Sequence, residues 1–342
     1  MDKIIEIFKN KYWEEIKKKA NVVGYSKTIK NKIINGKVTD IPCIRIYVRR
    51  KIKPKKYLLP KDIIPATIEG IYTDVVEIGE LRAPPDGFEM ISTSKTDKFR
   101  PVKLGVSVGH WDITAGSLGM LYRYKGVEYA GSNAHVLTPN PSLPVEKITE
   151  KRILQPGAYH GGKNPDNVVG EYAWHKRIVP IGESNCKIGQ SICRTMNKLL
   201  AILGRRGRFH YITQVTNNID FAVYEPTVPH SIEVADKSLS DEPFIGHLFA
   251  GSEKVGIICK VKYIIEEGFY PLVEPTEVKD GDIVKGCSFW CNYQTIILDE
   301  SAVTTVSYGD FIAEFEDVIM VKNDKVIRGG WSGSGWRKIE SS

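Results

Sequence analysis

Apolar positions near the N-terminus recur at helical spacing. Ile4, Ile5, Phe8, Tyr12, Trp13 and Ile16 stand with Lys and Glu between them, which predicts one amphipathic helix over residues 4–19. The period then shortens. Cys43 to Arg49 alternates apolar and polar side chains as a half-buried strand does, and Thr73 to Ile78 is a second strand candidate. Residues 1–80 therefore read as a small α+β unit. Residues 81–101 follow, with Ala-Pro-Pro-Asp-Gly and Ser-Thr-Ser-Lys-Thr, and have linker composition. From Val102 onward the texture is short apolar runs separated by Gly, Asn, Asp and Pro, at 103–108, 118–124, 127–131, 168–174 and 219–224. Many short strands with little helix indicate a sandwich or barrel rather than a βαβ sheet. One helical insertion interrupts them. Ile192, Met196, Leu199, Leu200 and Leu203 form a stripe before the basic turn Gly204-Arg205-Arg206-Gly207-Arg208, expected to face the core.

Composition changes this picture little. The 342 residues suffice for two or three compact units, and a hydrophobic fraction of 42% with 26% charged residues argues against disorder. No apolar run approaches the roughly 20 residues needed to cross a bilayer, and charges interrupt the N-terminus where a signal peptide is unbroken. We expect a soluble, cytoplasmic protein with no membrane partner. Charge is uneven: residues 1–80 carry a net +8 and the rest −1. A basic first segment could meet nucleic acid or an acidic partner. Without an aromatic-interleaved motif, a solvated Lys-rich surface is favoured and nucleic acid is disfavoured. Cysteines 43, 186, 193, 259, 287 and 291 are too few for a disulfide scaffold. Neither Cys186/Cys193 nor Cys287/Cys291 has zinc-knuckle spacing, so buried thiols or a local disulfide are expected, and no metal or cofactor.

Three segments carry candidate chemistry. Ala130-Gly131-Ser132-Asn133-Ala134-His135 is a small-residue strand end delivering a histidine; Asn218-Ile219-Asp220-Phe221-Ala222 puts an aspartate before an apolar strand; Gly329-Gly330-Trp331-Ser332-Gly333-Ser334-Gly335 sets a serine in a glycine-rich turn. His, Asp, Ser is the chain order of the chymotrypsin group. A serine hydroxyl needs an adjacent base, which imidazole supplies near neutral pH. The aspartate fixes the imidazole's tautomer and stabilises its charged form. Glycines around Ser332 permit a sharp turn in which the amides of Gly330 and Ser332 face a developing oxyanion.

These segments, with Gly105-Val106-Ser107-Val108-Gly109-His110, Thr114-Ala115-Gly116-Ser117-Leu118-Gly119, Ile153-Leu154-Gln155-Pro156-Gly157 and Leu248-Phe249-Ala250-Gly251-Ser252, resemble a prokaryotic branch of trypsin-like, chymotrypsin-fold serine proteases. That branch is related to the plant Narrow Leaf 1 protease. The resemblance covers most of residues 100–335, and 21–76 resembles the group's leader domain. It implies peptide-bond hydrolysis with His135 as base, Asp220 as orienting acid and Ser332 as nucleophile. Two departures stand out. Trp331 replaces the aspartate usual before the nucleophile, so activation by pairing that aspartate with a new N-terminus is not expected. The family's Gly-Arg-Thr-Thr-Gly has become Gly286-Cys287-Ser288-Phe289-Trp290, which leaves that loop's role open.

Strand order is the third departure. A chymotrypsin barrel places three strands after its serine, whereas ten residues follow Ser332. Strand candidates at 243–250, 255–264, 282–298, 302–308, 315–321 and 335–339 make six, enough for one barrel, and the Leu-Phe-Ala-Gly-Ser segment precedes the serine where relatives place it after. The expected fold is mainly β: two six-stranded chymotrypsin-like barrels, the second with permuted strand order, behind a small α+β domain. The divisions are 1–80, a linker 81–101, a first barrel with helical insertion 102–235, and a second barrel 236–342. The expected function is a serine endopeptidase on peptide or protein substrates. The alternative is a catalytically inactive module of the same fold that binds peptides or assembles with partners, and a homo-oligomer is left open. No acidic residue lies in 326–330, ahead of the nucleophile, so a small or apolar side chain is the default preference before the cut.

Overall fold

The computed structural model describes residues 2–53, 57–83, 94–113, 115–182, 191–192, 195–198, 216–235 and 242–339. The N-terminal helix runs as α-helix over Asp2–Ile7, a π turn over Phe8–Tyr12 and α-helix over Trp13–Ile16. The π turn has a reason in the sequence. Five residues separate Phe8 from Trp13, and at 3.6 residues per turn Trp13 would leave the apolar face. An i to i−5 bond, Trp13 N–H to Phe8 O, absorbs the extra residue. Ile5, Phe8, Trp13 and Ile16 then pack together on Tyr25, Ile44, Ile46 and Val303.

Under this helix lie β1 (Val22–Ser26), β2 (Lys30–Ile34), β3 (Lys37–Val48), β4 (Thr67–Ile68) and β5 (Ile71–Glu77). β3 lies between β1, to which it is antiparallel, and β5, to which it is parallel. Cys43 to Val48 is buried at every position. The expected half-buried alternation is thus corrected: both faces are covered, as in the interior of a mixed sheet.

The middle of the chain supplies β6 (Val102–Leu104), β7 (Ser107–His110), β8 (Gly116–Ser117), β9 (Met120–Tyr124), β10 (Val127–Ser132), β11 (Arg152–Leu154), β12 (Val168–His175), β13 (Ala222–Pro226) and β14 (His230–Val234). The last third supplies β15 (Phe244–Gly251), β16 (Val255–Lys260), β17 (Tyr270–Pro271), β18 (Ile283–Cys287), β19 (Asn292–Ser307), β20 (Ile312–Lys322) and β21 (Gly335–Lys338). The protein is mainly β, with partly curled sheets. One sheet has eight strands in the order β17-β9-β10-β13-β12-β11-β7-β8. The sheet curls: Leu118, between β8 and β9, exchanges backbone bonds with Gly105 and Val106 just before β7, and the next residue, Gly119, donates to Gly131 of β10. It also borrows β17 from the C-terminal third.

The other sheet runs β18-β21-β15-β16-β20-β19 and continues through β1 into β3, β5 and β4. β18 pairs with β21 on one side and β19 on the other. Strands of residues 1–80 therefore extend the C-terminal sheet, joined where Gly24 to Ser26 meets Ala302 to Thr304. Gly24 is required at this seam, because a Cβ there would lie 2.0 Å from the Val303 carbonyl oxygen.

Several boundaries differ from the sequence reading. Residues 255–264 divide into β16 and a helix, Val261–Glu266. Residues 282–308 form β18 and one sixteen-residue strand, β19. Ile192 and Met196 are exposed, contrary to a core-facing stripe; Leu199, Leu200, Leu203, Cys186 and Cys193 lie outside the described residues. Cys287 and Cys291 are free thiols, so no disulfide joins them. Part of the basic excess is spent internally: Lys9 and Lys27 pair with Glu316, and Lys30 with Asp280, Asp299 and Glu300. Among the described residues no helix is long and apolar enough to cross a membrane.

Candidate functional site

His135 lies on a single helical turn, Ala134–Leu137, directly after β10. The preceding small residues have tight neighbours: a Cβ on Gly131 would sit 2.4 Å from the Tyr122 ring. Asn133 donates from Nδ2 to the Asp220 carbonyl at 2.8 Å, which ties the histidine turn to the approach to β13. Asn217 fixes that approach from the other side. Its amide donates to Glu314 O at 2.9 Å, and its side chain bonds the backbone of Val179 and Glu314.

The Asp220 carboxylate is fully buried and accepts three hydrogen bonds. Ala134 N–H donates to Oδ1 at 2.6 Å. Oδ2 accepts from His135 Nδ1 at 2.6 Å and from the Tyr308 hydroxyl at 2.8 Å. Burial, then the Asp220 charge, pushes the Tyr308 hydroxyl well above its ordinary value, so it stays protonated and donates. Because Asp220 accepts at Nδ1, the neutral imidazole keeps Nε2 as its free acceptor. Nε2 is buried and makes no hydrogen bond.

The serine turn comes from the other sheet. Ser117 is its main tether to the first. Ser117 N–H donates to Ser332 O at 2.8 Å, and Ser117 Oγ donates to Gly330 O at 2.9 Å. On the far side Leu248 of β15 accepts from Gly333 N–H at 2.9 Å and donates to Ser334 O at 3.1 Å. Gly330 and Gly333 have φ of 91° and 82°, the left-handed region where glycine is favoured. Space demands them as well: a Cβ on Gly333 would fall 1.9 Å from Ser132 Oγ, and one on Gly330 2.2 Å from the Phe289 ring. The amides of Trp331, Gly333 and Ser334 are used in backbone bonds. Those of Gly330 and Ser332 donate to no protein acceptor among the described residues.

Trp331 and the 286–290 loop find their places here. Trp331 is fully buried, its ring 5.7 Å from that of Trp336 and 6.3 Å from Tyr293, so apolar packing anchors the turn where an ion pair is absent. In the loop, Phe289 N–H donates to Ser117 Oγ at 3.1 Å and Trp290 Nε1 donates to Gly329 O at 2.5 Å. The loop thus braces the segment ahead of Ser332. Ile327, ahead of the serine, packs in the same core as Trp331.

The structure brings His135 and Asp220 into direct contact. It sets Ser332 against the same small-residue strand ends: a Cβ on Gly116 would lie 2.5 Å from Val136 Cγ2 and 2.7 Å from Ser332 O. The Ser332 hydroxyl, like His135 Nε2, is buried without a hydrogen-bond partner, so no bond joins the two. Three contributors escape sequence reasoning: Ser117, Tyr308 and His247. Burial pushes the His247 imidazole down to about 4. Neutral, it donates from Nδ1 to Gly333 O at 2.9 Å and accepts the Tyr122 hydroxyl at Nε2, 2.6 Å away. No local motif announces these three, since each acts across the sheets.

One acidic cluster lies elsewhere. Asp280, Asp299 and Glu300 are spaced to hold a metal ion, yet Lys30 Nζ stands 2.7, 3.0 and 2.6 Å from them and supplies the positive charge. No protein-family model matches this chain, and no curated protein matches it significantly, so what the site does has to follow from its own atoms.

Proposed function

We propose that the protein is a serine endopeptidase working through an acyl-enzyme. Ser332 Oγ attacks the peptide carbonyl carbon while His135 Nε2 takes its proton. The carbonyl oxygen, now negative, receives the two unclaimed amides of Gly330 and Ser332. Collapse of this intermediate breaks the C–N bond, and His135 returns the proton to the leaving amine. Water then repeats the sequence on the ester, releasing the acid and restoring Ser332. Asp220 keeps the imidazole oriented and offsets its charge in both halves.

The observation that carries this reading is the buried Asp220 carboxylate, bonded to His135 Nδ1 and leaving Nε2 open, beside a serine turn with two free amides. Strand pairings that return to their start, β18-β21-β15-β16-β20-β19-β18, support a closed second barrel of permuted order around that turn. The Ile327 and Trp331 surroundings, with no acidic residue in 326–330, favour a small or apolar residue before the cut. The unmade Ser332–His135 bond supports the other reading, an inactive module that binds peptides, although such bonds often tighten only with substrate.

A fluorophosphonate probe separates the two. Labelling that maps to Ser332 and vanishes in Ser332→Ala, together with loss of casein hydrolysis by at least about a thousandfold, is expected. Folded wild-type protein that takes no label would leave the binding module.

A further inference from the structure

Residues read as a linker begin with a segment that is built into the site. Arg82 forms an antiparallel bridge with Gly251 at the end of β15. Its N–H donates to Gly251 O, and it accepts from Gly251 N–H, both at 3.1 Å. On its other edge the segment meets the end of β19: Ser307 N–H donates to Leu81 O at 3.0 Å and Ala83 N–H donates to Ser307 O at 2.9 Å. Leu81 and Ala83 point inward and are buried, while the Arg82 side chain is 46% exposed.

Both neighbours belong to the machinery described above. β15 holds the Ser332 turn through Leu248, three residues before Gly251. β15 carries one extra residue against β16 between Leu248 and Ala250, and the bulge lets Leu248 and Gly251 both present their N–H and C=O on the edge away from β16, to the serine turn and to Arg82. β19 leads straight into Tyr308, the donor to Asp220. Antiparallel pairing directs Arg82 and Ala83 back along β15 toward Leu248. A peptide that adds to this edge of β15 on its way to Ser332 would need the same N–H and C=O of Gly251.

We infer that Leu81-Arg82-Ala83 occupies, in cis, the strand position by which an extended polypeptide reaches Ser332, as a built-in competitor of substrate. This rests on the proposed peptidase function. It also names the substrate pattern: a main chain taken up as a strand, with an apolar residue at the place of Leu81, an outward residue of any kind at Arg82 and a small one at Ala83.

Arg82→Pro removes the N–H that Gly251 O accepts and leaves the rest of the segment. Turnover of a peptide substrate is expected to rise about tenfold in kcat/KM, chiefly through KM, and Arg82→Ala, which keeps the backbone bonds, is expected to match wild type. A second measurement needs no variant. Hydrogen exchange at the Arg82 and Ala83 amides is expected to speed up at least tenfold when Ser332 carries a tripeptidyl phosphonate, and to stay unchanged under a small fluorophosphonate. Labelling at Ser332 with neither effect would overturn the cis occupant alone and make the segment a fixed strand. Absence of labelling would overturn the peptidase reading beneath it.

Discussion

Asp220 accepts from three donors on two elements, Ala134 and His135 of one helical turn and Tyr308 just after β19, and each restricts where the carboxylate can sit. Tyr308 is the donor that can be removed with least disturbance, because Tyr308→Phe keeps the ring that stacks on Phe311 at 4.9 Å. The loss of one hydrogen bond to a buried carboxylate is worth about 1–2 kcal/mol, so kcat for peptide hydrolysis is expected to fall roughly tenfold with KM little changed. An unchanged kcat would show that Tyr308 only fills space. His247 gives a pH signature. Its folded value near 4 lies below the ordinary 6.5, so the folded protein binds fewer protons than the unfolded chain between those values. The stabilisation is complete above pH 6.5 and is lost as pH falls through 4, amounting to on the order of 3 kcal/mol. His110, His160, His175 and His230 are also depressed by burial and add in the same direction. Unfolding midpoints measured from pH 7 to pH 4 should drop steeply in wild type and less steeply in His247→Gln.

At the scale of elements, the sequence tells most where a side chain's task is local. The helix face at Ile5, Phe8, Trp13 and Ile16 was readable from spacing, and so were six runs after Asp220, because apolar periodicity follows from burial on one side. The ends of those runs were not readable. Val261–Glu266 turns helical after β16 although its apolar content suits a strand, and residues 282–308 regroup into β18 and the long β19. Those choices are set by what each strand pairs with, which periodicity does not encode. The same division runs through the site. His135, Asp220 and Ser332 stand in recognisable local contexts. Ser117 looks like any serine in a small-residue run, and its role depends on Gly330 and Ser332, more than 200 positions away. The span 81–101 shows the limit most clearly: its composition says linker, while Leu81 to Ala83 is held by backbone bonds on both edges.

Across the whole molecule, the basic first segment is a structural partner of the acidic C-terminal sheet. Burial alone would push the Lys30 ammonium down. The Asp299 charge and the bonds to Asp280 and Glu300 more than reverse this, so its value is raised. Asp299 is fully buried and also accepts from the Tyr47 hydroxyl. Replacing Lys30 by Met would strand that carboxylate in the interior, at a cost of roughly 3–5 kcal/mol. A clear fall in the denaturation midpoint is expected, and an unchanged midpoint would mean that the cluster takes up a solvent cation instead.

β19 joins all these levels. Its early residues pair with β18, its middle pairs with β1, β20 runs along it, and its last residue holds the 81–83 segment just before Tyr308. A strand so committed cannot melt in one place and keep order in another. Heating that loosens the N-terminal strands would therefore withdraw the tyrosine from Asp220 in the same cooperative step. On the proposed peptidase reading, the enzyme goes silent as it begins to unfold, and its opened copies are spared digestion by one another.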